Sequence, residues 1–220
     1  MKKFGYAAKG FIRAITRIVI EIIHRVILHL PDTLFGFLKW PSKKLRIKIL
    51  ILNSSEDKLT STEDIGKAIE FAKQIFKKEF NIQLLPTRGN NSFIEIVQSN
   101  VPSEVLYTKG GTGALKEEFK TAGNFFAANL VAPVYPVTVF IVKDIEGATG
   151  CSLGPMTDYI TLSHDGAKDE SVLAHELAHA CGLWHVNDRT NLLWNRNDRG
   201  DKIRWWQKNV FRSSRHITYW

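Results

Sequence analysis

From residue 11 to residue 30 the apolar positions are Phe11, Ile12, Ile15, Ile18, Val19, Ile22, Ile23, Val26, Ile27 and Leu30. Steps of three and four return to one side of a helix, and Arg13, Arg17, Glu21, His24, Arg25 and His29 take the other side. The pattern predicts an N-terminal amphipathic helix that stops at Pro31-Asp32, followed by an apolar connector with Leu34, Phe35, Phe37, Leu38 and Trp40. Alternation at Leu45, Ile47 and Ile49 then turns into a solid apolar run to Leu52, as in a strand entering a buried sheet. Ser61-Thr62-Glu63-Asp64 signals a helix start, and Ile65, Ala68, Ile69, Ala72, Ile75 and Phe76 form its inward stripe. Further strands are expected at 82–85, 93–98, 137–142 and 159–163, one helix at 114–129 and a closing helix at 201–215.

This order implies two parts. Residues 1–42 form a basic helical extension with its connector, and residues 43–220 form a domain expected to fold without it. An apolar share of 44% in 220 residues is enough for one core.

Charge changes the picture through its placement. Residues 1–48 carry eleven Lys/Arg against two acids, 186–220 eight against three, and 49–185 eleven against seventeen. Basic ends suggest anionic contacts, and without a nucleic-acid-binding motif lipid head groups fit better than DNA or RNA. No uncharged stretch reaches the ~20 residues of a bilayer crossing, and charges interrupt any signal-peptide core. The helix at 11–30 therefore has two main readings: it lies on an anionic membrane surface, or it packs on the following domain or a partner. A cleaved or targeting segment is a third. Cys151 and Cys181 are too few to indicate an oxidising compartment and leave a disulfide between them open.

The chemistry concentrates in His175-Glu-Leu-Ala-His-Ala-Cys-Gly-Leu-Trp-His185. Residues four apart share a helix face, so His175 and His179 can present two imidazole nitrogens to one metal ion. Glu176 falls where a carboxylate can take a proton from a metal-bound water. On a continuous helix His185 would lie roughly 9 Å further along and about 120° around. Gly182 removes the difficulty by allowing a left-handed turn that brings His185 back.

These residues resemble the metzincin clan of zinc metallopeptidases, whose signature HExxHxxGxxH is matched at His175, Glu176, His179, Gly182 and His185. The resemblance implies an α+β, metzincin-like zincin with a mixed twisted sheet and the active-site helix in an upper subdomain (43–182). A short, mainly irregular lower subdomain (183–220) with a C-terminal helix would follow, and the N-terminal amphipathic helix would precede. It implies Zn²⁺ on His175, His179 and His185, Glu176 as general base, and a zinc endopeptidase acting on protein or peptide substrates. Asn191-Leu-Leu-Trp194 resembles the clan's Met-turn, with Leu193 at the methionine position. The strand before the zinc helix, with Asp158, Tyr159, Ile160, Thr161, Leu162 and Ser163, would lie at the sheet edge and pair with the substrate backbone. Two other readings stand beside this one: a membrane-associated binding protein on a catalytically silent zincin scaffold, and a zinc hydrolase of non-protein amides. Three protein ligands leave a fourth position open, which favours catalysis.

Overall fold

The structure is a computed structural model that describes residues 2–53, 61–98, 101–130 and 136–220. Two N-terminal helices, α1 (Lys2–Ile23) and α2 (Leu30–Phe35), are joined through a π-helical turn at His24–Leu28. Strand β1 (Lys43–Asn53) follows and organises the rest. Its side chains alternate, so Leu45, Ile47, Ile49 and Ile51 enter one apolar core while Leu50 and Leu52 enter another on the opposite face. A sheet covered on both faces needs both sets, which is why this strand reads as almost solidly apolar.

Helix α3 (Thr62–Phe80) starts at a capping box between Ser61 and Asp64 and lays its apolar stripe on the first face. Strands β2 (Ile82–Pro86) and β3 (Ile94–Gln98) both run parallel to β1, one after the other along the same side. The chain continues through α4 (Ser103–Leu106), β4 (Tyr107–Lys109), α5 (Gly111–Glu118) and α6 (Thr121–Ala128). It then forms β5 (Val137–Val142), β6 (Asp144–Glu146), β7 (Gly150–Ser152) and β8 (Tyr159–Ser163). The main sheet has the order β2-β1-β5-β8-β7; β5 is parallel to β1 and β8, and β7 is antiparallel to β8. It is a mixed, mostly parallel sheet. After β8 come α7 (His164–Lys168), α8 (Val172–Ala180), α9 (Trp205–Arg212) and β9 (Ile217–Thr218), which pairs antiparallel with the start of β1.

Three expectations are corrected. The strand at 158–163 is not an edge: β8 sits between β5 and β7, and Asp158 through Ser163 are all buried. The antiparallel edge strand is β7, whose three residues are too few for an alternating pattern to mark. The single helix at 114–129 is two helices, because Lys120 is extended and Gly123 packs directly on the Glu118 backbone. A side chain at Gly123 would overlap that backbone, so the break holds the two helices in contact. The closing helix is shorter than 201–215, since Lys202 instead exchanges backbone hydrogen bonds with Thr190 and Leu192.

The seam across residue 42 is made of buried charge. Arg17 pairs with Asp158, which also receives Arg215 at 2.7 Å. Glu21 bonds Arg215 at 3.1 Å and Arg25 at 2.6 Å. Asp32 takes Lys43 at 2.6 Å, Arg212 at 2.9 Å and the Tyr219 hydroxyl at 3.0 Å. Arg13 reaches Asn124 and Glu118. Burial alone would raise the Glu21 and Asp158 carboxyls, but the cations around them hold both below the usual carboxylate range. Residues 1–42 are therefore built into the same body as the sheet, through their polar side.

Candidate metal centre

Helix α8 lies on the first core face, with Val172, Leu173, Ala174, Leu177, Ala178 and Ala180 buried against β1, β5, β8 and α3. It ends at Cys181, and Gly182 at φ +91° closes a double turn in which its N–H donates to His179 O and the N–H of Leu183 to Ala178 O. That reversal returns His185 to the helix face that carries His175 and His179. Their Nε2 atoms lie 3.0 Å (His175–His179), 3.1 Å (His179–His185) and 3.2 Å (His175–His185) apart.

The outer nitrogens decide what these three can do. His175 Nδ1 donates to Leu192 O at 2.8 Å and His179 Nδ1 to Leu183 O at 2.7 Å, which turns both Nε2 lone pairs toward the common centre. Burial pushes the imidazole of His175 down to about 2 and that of His179 to about 4, and it lowers His185, so the neutral ligand form prevails. Lone pairs converging at this distance repel one another unless a cation sits between them. Zinc–nitrogen bonds of about 2.0–2.1 Å in a tetrahedron put nitrogens about 3.3 Å apart, close to the observed triangle. The residues fit a zinc ion.

Around the triad is an open cleft of about 680 Å³ that contains Glu176, Arg199 and the backbone of β7. Glu176 is buried beside the first histidine, and desolvation raises its carboxyl to about 8 against the opposing pull of Arg199. Gly150 makes the room it occupies: a Cβ there would come within 2.7 Å of Glu176 Cγ. Leu193 is fully buried, and its N–H donates to Asn191 Oδ1 at 2.9 Å. Asn191 is in turn locked to Gln207 of α9 at 2.8 Å. That network holds Leu192 O under His175.

Of the residues singled out in the sequence, His175, Glu176, His179 and His185 line one cleft, with Gly182 at the turn between the last two histidines, and Leu193 is buried in the core. Asp158 through Ser163 do not reach the centre; Asp158 is taken up by Arg17 and Arg215, and Tyr159 donates to Glu118. Cys151 and Cys181 are free thiols. Burial pushes Cys151 up to about 12, helped by the Glu176 charge. Sequence reasoning missed Arg199 and the strand Gly150–Ser152. Arg199 Nη1 is buried with no hydrogen-bond partner among the described residues, on the wall of the cleft. Its distance of fourteen residues from His185 matches no motif spacing, and only the fold brings it in.

No family model matches the chain, and no curated protein matches it either. Among solved structures it is similar to metalloproteinase-II from Bacteroides fragilis, with a TM-score of 0.48 and 14% identity over 72% of this chain and 48% of that one. It is also similar to archaemetzincin from Methanopyrus kandleri, with a TM-score of 0.46 and 11% identity over 77% and 95% of the two chains. A third is mature mirolysin from Tannerella forsythia in complex with a cleaved peptide, with a TM-score of 0.46 and 15% identity over 69% and 68%. The chain spans about half the length of the Bacteroides protein.

Proposed function

We propose that this protein is a zinc-dependent endopeptidase, with His175, His179 and His185 as metal ligands and Glu176 as the general base. The observation that carries the reading is the convergence of three Nε2 lone pairs at 3.0–3.2 Å beside a buried carboxyl group, in a cleft open to solvent. Bound zinc would supply Lewis-acid polarisation of the scissile carbonyl and of an attacking water. Glu176 takes the proton of that water as its oxygen attacks, and passes it to the amine as the C–N bond breaks. Arg199, with Nη1 unpaired among the described residues, offers positive charge to the oxyanion that forms on the carbonyl oxygen. The outer edge of β7 offers backbone N–H and C=O groups along the cleft, and an extended peptide can bind there as a further strand with little demand on its side chains. Leu193 serves as an apolar floor in the role of the Met-turn methionine.

The test is metal content and cleavage together. Purified protein dialysed against zinc should hold one ion per chain and cut an unbiased peptide library, and His179→Ala should lose both properties. Protein that takes up no zinc, or zinc-loaded protein that leaves every peptide intact, would overturn the assignment.

A further inference from the structure

Helix α1 is packed inside out. Each charged side chain between residues 11 and 38 (Arg13, Arg17, Glu21, Arg25 and Asp32) is hydrogen-bonded into the body of the protein. The apolar face points to solvent. Of the twenty-four large apolar side chains exposed among the described residues, sixteen lie between Phe11 and Trp40, including Ile12 at 63%, Ile27 at 68% and Trp40 at 81%. At about half exposure each, they present on the order of 1,500 Å² of apolar surface, several times the 300–600 Å² usual for the largest patch on a monomer. Trp205 extends it, with its exposed ring edge-on to Phe37 at 6.3 Å.

We propose that this face docks into one leaflet of an anionic lipid bilayer, with α1 lying in the plane of the membrane. Three observations favour lipid over a protein partner. Protein interfaces mix apolar contacts with roughly one hydrogen bond per 100–200 Å², whereas the exposed positions from 11 to 38 carry a single polar side chain, Thr16. Both acids of residues 1–48, Glu21 and Asp32, are buried in internal ion pairs, so the charges that this segment leaves in contact with solvent, such as those of Lys9 and Lys39, are positive. A second copy docked face to face would set these cations against each other, while anionic head groups complement them. Trp40 and Trp205 stand exposed beside the apolar face, where indole rings favour the head-group level. No described helix is long and apolar enough to cross a membrane, so the contact is with the surface of the bilayer.

The experiment is flotation of the full chain with vesicles of phosphatidylcholine and phosphatidylglycerol at 7:3, beside vesicles of phosphatidylcholine alone. The wild type should float with the mixed vesicles, and less with the neutral ones. Ile15→Glu/Ile22→Glu/Ile27→Glu changes only exposed positions, so it should keep the wild-type melting temperature and zinc content while binding falls at least tenfold. The proposal is overturned if the wild type stays off the anionic vesicles, or if the triple variant floats as well as the wild type. It is also overturned if the wild type is a stable dimer in buffer that the triple variant dissociates, since a second copy would then own the face. Zinc content and flotation are separate readouts, so failure here leaves the peptidase assignment standing.

Discussion

Helices α1 and α3 are both long and amphipathic, and they are packed in opposite senses. In α3 the stripe Ile65, Ala68, Ile69, Ala72, Ile75 and Phe76 is buried and its lysines and acids face water. In α1 Arg13, Arg17 and Glu21 face inward, joined by Arg25 of the following turn, and Ile12, Ile15, Val19 and Ile22 face out. Hydrophobic periodicity identifies a face that costs free energy in water. It does not say what covers that face. What decides for α1 is the surface beneath it, where the polar side of the N-terminal segment supplies countercharges to Glu118, Arg212 and the Asp158–Arg215 pair.

Deleting residues 1–42 should have the largest effect. It strips partners from Asp158, Arg215, Arg212 and Lys43 at once, and one unpaired buried charge costs about 3–5 kcal/mol against a total stability of about 5–15 kcal/mol. The truncated chain should show no cooperative thermal transition; a clean transition near the wild-type temperature would mean that the seam carries little. Single substitutions sharpen the contrast. Phe76→Ala, which removes a ring packed on Phe80 and Phe211, should cost about 3–5 kcal/mol in denaturant unfolding. Asp158→Ala should cost a similar amount by stranding Arg17 and leaving Arg215 with Glu21 as its carboxylate partner, whereas Ile22→Ala on the outer face should stay within about 0.5 kcal/mol. A large loss for Ile22→Ala would mean that α1 is not packed as described.

Gly182→Ala belongs in the middle of the range. The residue has φ +91°, and a Cβ would come within 2.5 Å of Arg25 Nη2, which donates to Cys181 O at the end of α8. The expected cost is about 1–2 kcal/mol, with weaker zinc binding as His185 is displaced. Unchanged zinc affinity would separate the turn from the metal site.

The smallest effect at neutral pH is the acid dependence of the seam. Glu21 and Asp158 have folded-state values below their unfolded ones, so their contribution is complete above the unfolded carboxylate range of about 4 and is lost as pH falls below it. Melting temperature should be flat from about pH 7 to 5 as far as these groups are concerned, then drop below about pH 4. The drop should be shallower in Asp158→Asn.

The triad was legible because its chemistry depends on spacing within one helix and a turn: a step of four from His175 to His179, and a glycine where the chain must reverse. The central strands and α3 were legible because burial imposes a period. Strand β7 left no such trace, being three residues long and beginning at a glycine whose missing side chain makes room for Glu176. Arg199 was hidden because its place depends on how the loop before α9 folds back. The buried pairs of the seam were invisible for a related reason, since Arg17 and Asp158 are 141 residues apart and nothing local links them.

The central claim is that Glu176 moves the proton at a histidine-bound zinc. Zinc-loaded wild type and Glu176→Gln, matched for metal content, should be compared on a peptide found to be cut by the wild type. The variant should bind zinc as the wild type does and lose about 10²–10⁴-fold in turnover, because it lacks the proton acceptor while keeping all three ligands. A zinc-loaded variant that cleaves at the wild-type rate would contradict the account.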